Sequence, residues 1–146
     1  MVYRPDSVAK RLEKLREYQG DLAQWRDLSL DEYLADRNTR YAVERLLHLT
    51  AEAALDILDH LLSAKQEIVS DTYEDVLSNA HRGGFLTEER YRELRGLGGF
   101  RNVLAHEYVG IDDATVYRQM GKMNQVLPKL LGDFETLLAP PPDSQG

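Results

Sequence analysis

The chain has 146 residues, 42% of them hydrophobic and 29% charged, with a net charge of −7 and no cysteine. These totals fit one compact domain with a real core and exclude a disulfide framework, a thiolate metal site and a cysteine nucleophile. The acidic balance argues against a broad, sequence-independent nucleic-acid coat, though not against a small basic site on an acidic body.

The residues from Met1 to Gly20 are charged and lack an apolar h-region, so they do not read as a signal peptide. No apolar stretch is long enough to span a membrane. With the missing cysteines, this points to a cytoplasmic protein. Helical periodicity then dominates the chain, and no stretch alternates like a strand. A first helix is expected after Arg4-Pro5, capped by Asp6 or Ser7. Val8, Leu12, Leu15, Leu22 and Trp25 keep a seven-residue rhythm, which gives one stripe toward a partner helix. Gly20 sits inside it and weakens it. Ser29-Leu30-Asp31-Glu32 has the form of a capping box. A long second helix starts either there or after a break near Asp36-Arg37-Asn38, and runs to about Ala64. Its apolar face comprises Leu46, Leu47, Thr50, Ala53, Ala54, Ile57, Leu58 and Leu61.

Asp71-Thr72-Tyr73-Glu74 starts a short helix that Gly83-Gly84 ends. Thr87, with Glu88 and Glu89, starts a fourth main helix carrying Leu94, Leu97, Phe100 and Leu104 inward. Gly96, Gly98 and Gly99 fall inside this stretch, each unfavourable in a helix by about 1 kcal/mol relative to Ala. They mark either a bend or a close approach of another backbone. Gly110 closes the segment, and Asp112 or Asp113 caps a last helix with Val116, Met120, Met123, Leu127, Leu130, Phe134 and Leu137 inside. Pro128 is expected to kink it. The reading is an all-α, up-and-down bundle of four main helices plus a short one. Residues 1–138 form the domain, and residues 139–146 a disordered Pro-rich tail.

Several sites are tested by spacing. Arg40, Glu44, His48, Glu52, Asp56 and His60 recur every four positions on the second helix, each about 40° round from the last. A di-metal carboxylate bundle needs Glu-x-x-His, and none of the four His has Asp or Glu three residues before it. The stripe therefore reads as a solvated or dimer-facing face with i,i+4 pairs. His106-Glu107 begins like a zinc-protease motif, but Gly110 stands where the second His belongs. Gly96-Leu97-Gly98-Gly99 lacks the Lys-Ser/Thr ending of a phosphate loop. No metal or other cofactor is expected.

The segment Arg101-Asn102-Val103-Leu104-Ala105-His106-Glu107-Tyr108 is different. On a helix, Asn102 and His106 share one face, and Arg101 and Tyr108 share another about 100° round. Asn102 is placed to hold the His ring in one tautomer. His106 has the chemistry to exchange a proton near neutral pH, and Arg101 to clamp a phosphate and stabilise charge developing on it. Together they suffice to cleave RNA without a metal, using the ribose 2′-hydroxyl as nucleophile and leaving a cyclic phosphate. The competing reading is plain: a His and an Arg near a helix end pair with the helix dipole.

The run from Gly99 to Tyr108, followed by Ile111-Asp112 and Val116-Tyr117, resembles the signature of the HepT-like toxins of the HEPN superfamily, whose motif is Arg, four to six residues, then His. The likeness extends to the helix over 40–62 and to Tyr73-Glu74-Asp75-Val76-Leu77. This resemblance implies a homodimer with two motifs facing one cleft, Arg101 and His106 as a ribonuclease pair, and Asn102 supporting them. It also implies a partner, an MntA-type minimal nucleotidyltransferase antitoxin, that transfers AMP from ATP to Tyr108. Arg82, Arg90, Arg92 and Arg95 either widen the positive patch or form a solvated face paired with Glu88, Glu89 and Glu93. An alternative function stays open: a non-catalytic helical dimer that is the partner and modification target of a nucleotidyltransferase.

Overall fold

A computed structural model describes residues 5–106 and 108–139. Its elements, in order, are α1 (Pro5–Ala23), α2 (Leu30–Ala35), α3 (Arg37–Gln66), α4 (Tyr73–Arg82), α5 (Glu88–Leu94), α6 (Leu97–His106), a 3-10 turn (Tyr108–Gly110) and α7 (Asp113–Leu138). No strand occurs among the described residues, and the all-α bundle read from the sequence is the observed architecture. No helix is long and apolar enough to cross a membrane among those residues. Residues 140–146 of the expected tail lie outside the described residues.

Local chemistry sets most helix starts. Ser29 and Glu32 form the full capping box, with Ser29 N donating to Glu32 Oε1 at 3.0 Å and Glu32 N to Ser29 Oγ at 3.1 Å. The resulting helix stops after six residues, so the chain takes the break near Asp36. Asp36 both ends α2 and caps α3, accepting from Asn38 N and Thr39 N. Thr72, Thr87 and Asp112 cap α4, α5 and α7 in the same way. The first helix differs from expectation: it begins at Pro5, whose fixed φ suits a first helical position, so Asp6 and Ser7 lie within the first turn rather than at the cap. Pro128 lies within α7, which continues to Leu138.

The predicted fourth helix is two. Gly96 adopts φ +87°, a left-handed conformation that interrupts the ladder between α5 and α6. The chain turns there, so α6 docks independently on α3 and α4.

The spine of the fold is α3, which touches α1, α2, α4, α6 and α7. Val43, Leu47, Ala51, Ala54, Leu55, Ile57, Leu58, Leu61 and Leu62 bury its apolar face almost completely. From α1 come Val8, Leu12, Leu15 and Leu22, and from α7 Val116, Met120, Met123, Leu127, Leu130 and Phe134. With its opposite side free of that core, α3 presents its polar stripe to whatever packs there.

Candidate active site

What packs there is α6. Its first N–H groups need partners, as those of every helix do, and they find them on another helix. The Glu74 carboxylate accepts from Gly96 N at 2.8 and 3.1 Å and from Gly98 N at 3.3 Å. A carboxylate also suits the positive end of the helix dipole. Gly98 is buried against the start of α4: a Cβ there would lie 2.6 Å from Glu74 N and 2.8 Å from Tyr73 C. Both expected roles of the glycines are thus filled, the turn by Gly96 and the close approach by Gly98.

One turn into α6, Arg101 is held on three sides. Its Nη2 donates to Glu52 Oε1 of α3 at 2.5 Å. Its guanidinium lies over the Tyr73 ring, 5.1 Å from the centroid. Its Nη1 donates to Asn102 Oδ1 at 3.2 Å. The Arg101 side chain is only 17% exposed and that of Glu52 34%. Tyr73 is itself anchored, its hydroxyl donating to Asp56 Oδ1 at 3.0 Å, and Arg11 Nε lies 3.7 Å from Asp56 Oδ2.

Ionisation follows from this placement. The hydrogen bond from Arg101 holds the Glu52 carboxyl below its usual range, against the smaller opposing effect of burial. The pair therefore stays charged into acid. Burial, then the nearby Asp56 charge, pushes the Tyr73 hydroxyl up to about 12, so it remains a donor. His48 is lowered chiefly by burial, with Arg101, Arg45 and His106 adding to this and Glu52 opposing it. His48 Nδ1 faces Arg45 Nη1 at 3.4 Å. Its Nε2 lies 4.0 Å from Glu52 Oε1 and, like Arg101 Nε, is buried without a hydrogen-bond partner among the described residues.

His106 is exposed at the C-terminal end of α6. No hydrogen bond joins Asn102 to its ring among the described residues; the Asn102 oxygen turns to Arg101 instead. Asn102 therefore sits with the cation. It also lines a concavity of about 290 Å³ with Asp59, Asp71, Thr72 and Tyr73. Glu107 and the side chain of Tyr108 lie outside the described residues, while the Tyr108 backbone forms part of the 3-10 turn that follows α6.

Of the four upstream arginines, two are paired with carboxylates and two are not, among the described residues. Arg90 is bonded to both Glu93 and Asp133, and Arg92 to Glu88. Arg95 lies 5.9 Å over the Tyr91 ring, and Arg82 donates to Asn79 Oδ1. The paired-face reading describes Arg90 and Arg92. The stripe on α3 keeps an i,i+4 pair, His48 with Glu52, and adds contacts to other helices: Glu52 and Asp56 are bonded to α6 and α4, and Arg40 reaches Asp113 of α7 at 3.6 Å. No group of three or more His, Asp or Glu is gathered as metal ligands among the described residues.

A family model described as Ribonuclease HepT-like matches residues 8–131. The tRNA nuclease HepT of Aphanizomenon flos-aquae (strain 2012/KM1/D3) is 33% identical over 134 residues, which is 92% of this chain and 91% of that protein. A toxin–antitoxin crystal structure with AMP-PNP aligns with a TM-score of 0.79 at 16% identity, covering 90% of this chain and 98% of that one. A tri-AMPylated Shewanella oneidensis HEPN toxin in complex with MNT antitoxin aligns at 0.62 and 16% identity, covering 90% and 93%. At such identities the solved structures share the fold.

Proposed function

This chain belongs to the HepT-like family, and from that membership we propose that it is the toxin of a toxin–antitoxin pair, a metal-independent endoribonuclease acting through Arg101 and His106. The observation that carries the reading is Arg101 itself. Its guanidinium is fixed against α3 and α4 by Glu52 and Tyr73, one turn before an exposed His106 on the same helix. The 33% identical relative, a tRNA nuclease, supports RNA as the substrate class.

The chemistry follows from the residue types. His106 takes the proton from a ribose 2′-hydroxyl, and the 2′-oxygen attacks the adjacent phosphorus. The bond to the 5′-oxygen breaks, and that oxygen leaves with a proton supplied by an imidazolium. Products are a 2′,3′-cyclic phosphate and a 5′-hydroxyl. Arg101 stabilises the charge that builds on the non-bridging oxygens. A two-fold homodimer places two such motifs on one cleft, so that one His serves as base and the other as acid. Asn102 supports the pair from the Arg101 side. The test is direct. Purified, unmodified protein incubated with transfer RNA in EDTA yields fragments ending in cyclic phosphate; intact RNA overturns the reading.

The proposed off-switch is Tyr108, on the turn just after α6. An MntA-type nucleotidyltransferase antitoxin transfers AMP from ATP to the tyrosine oxygen, releasing pyrophosphate. The added phosphate charge and bulk, on the turn that follows the Arg101–His106 segment, repel anionic RNA. Incubation with that partner and ATP adds about 329 Da per AMP, and Tyr108→Phe removes the shift. A shift that survives in the Phe variant places the modification elsewhere. RNA as substrate and an ATP-using partner support a cytoplasmic site of action.

One observation favours the second reading. Arg101 is already neutralised by Glu52 and mostly covered. In a non-catalytic helical dimer that pair is structural, and the protein serves only as partner and modification target. Modification of Tyr108 with no RNA cleavage by the unmodified protein would decide for it.

A further inference from the structure

Arg101 is not a cation at the end of a free tether. It is wedged between a carboxylate from α3 and an aromatic ring from α4, and the ring is itself held. Glu52 lies within 4.0 Å of His48 Nε2 and accepts from Arg101 at 2.5 Å. The Tyr73 hydroxyl is bonded to Asp56, which Arg11 approaches from α1. Arg101 is thereby fixed by residues 49 and 28 positions away in sequence, on two different helices. We infer that Glu52 and Tyr73 are positioning residues of the active site, holding the Arg101 guanidinium in its working orientation before RNA arrives.

The inference rests on the nuclease reading above and deepens it. An arginine side chain has several rotors, and fixing them when the substrate binds subtracts from the interaction. A guanidinium fixed in advance stabilises developing charge without reorganising at the moment of reaction. Each support suits one part of the group. The carboxylate engages one edge through a charge-assisted hydrogen bond, and the ring face attracts the cation from below. The Tyr73 hydroxyl donates to Asp56 at 3.0 Å, which holds the ring in its place.

The arrangement sets a sign. Glu52 orients Arg101 but also cancels part of its charge, which weakens attraction for a resting phosphate. Replacing Glu52 by Gln keeps shape and a hydrogen-bond acceptor while removing the negative charge. RNA binding then stays equal or tightens, while kcat falls because the guanidinium is no longer pinned. A merely structural ion pair gives a different pattern: lower thermal stability, with activity and binding lost together.

The test measures three quantities on full-length, unmodified protein: cleavage kinetics, thermal midpoint, and affinity for a 2′-O-methyl RNA that cannot be cut. Glu52→Gln is expected to lower kcat about tenfold and Tyr73→Leu by a similar factor, since displacing a reacting group by about 1 Å costs up to 100-fold. Affinity of the Gln variant for the uncleavable RNA equals or exceeds that of the wild type, even though loss of the ion pair lowers the midpoint slightly. Tyr73→Phe retains the ring but loses its anchor on Asp56, so its kcat is expected between those of wild type and Tyr73→Leu. Wild-type kcat in both Glu52→Gln and Tyr73→Leu overturns the positioning role alone. So does loss of kcat, affinity and midpoint in step. A wild type that cuts no RNA overturns the nuclease reading, and this inference with it.

Discussion

Replacing His106 by Ala lowers kcat for RNA cleavage by about 100-fold to 10,000-fold, the span that positioned acid–base groups supply, while the protein stays folded. Stability is spared because His106 is exposed at the last position of α6 and belongs to no part of the buried core. Surface changes of this kind usually fall within about 0.5 kcal/mol. The competing account of a His at a helix end makes the opposite demand. If the imidazolium only complements the helix dipole, its removal lowers stability by about 0.3–1 kcal/mol, and cleavage is untouched. Urea denaturation and a cleavage assay on the same preparation separate the two. Full activity in the Ala variant would sink the catalytic role, whatever its stability.

The contrast with Arg101 is instructive, because the two motif residues sit in different surroundings. His106 is open to solvent, whereas Arg101 is mostly covered and bonded on three sides. Arg101→Ala leaves Glu52 without its partner, so a loss of activity in that variant mixes chemistry with structure. His106→Ala carries no such confusion.

How much was legible in the sequence depends on the range of the interaction. The capping box at Ser29 and Glu32, the caps at Thr72, Thr87 and Asp112, and the break at Asp36 are all contacts within three residues. The residue types therefore reveal them directly. The buried faces of α1, α3 and α7 follow the same helical spacing as the pattern. Even the spacing of Arg101, Asn102 and His106 on one helix is local. The supports of Arg101 are not, since Glu52 and Tyr73 come from α3 and α4, and no periodicity says which face α6 covers. Two signals pointed that way without settling it. A polar stripe on the back of the most buried helix needs partners, and three glycines in eleven helix-like residues need a reason. The division of α5 from α6 was masked because apolar spacing runs on through Leu94 and Leu97, while the backbone breaks at Arg95, with ψ 136°, and at Gly96, with positive φ.

Gly98→Ala destabilises the protein by about 1–3 kcal/mol, the usual effect of an added methyl in a filled space, although Ala favours a helix by about 1 kcal/mol over Gly. The new Cβ would meet Glu74 N at 2.6 Å, Tyr73 C at 2.8 Å and Tyr73 Cβ at 2.9 Å. Two of these atoms are backbone at the start of α4, which Thr72 caps, so they cannot yield as a flexible side chain would. Relief has to come from a shift of α6. That shift pulls Gly96 and Gly98 from the Glu74 carboxylate and moves Arg101 off Glu52 and Tyr73. RNA cleavage should therefore fall further than the folded fraction does. Gly99 supplies the control, because a Cβ there meets nothing within 4 Å. Gly99→Ala on the same helix keeps only the gain in propensity and is neutral or stabilising by up to about 1 kcal/mol. Chemical denaturation of the two variants side by side checks this. Equal stability of the two would mean that α6 does not dock on α4 through Gly98, and the geometry that holds Arg101 would need another origin.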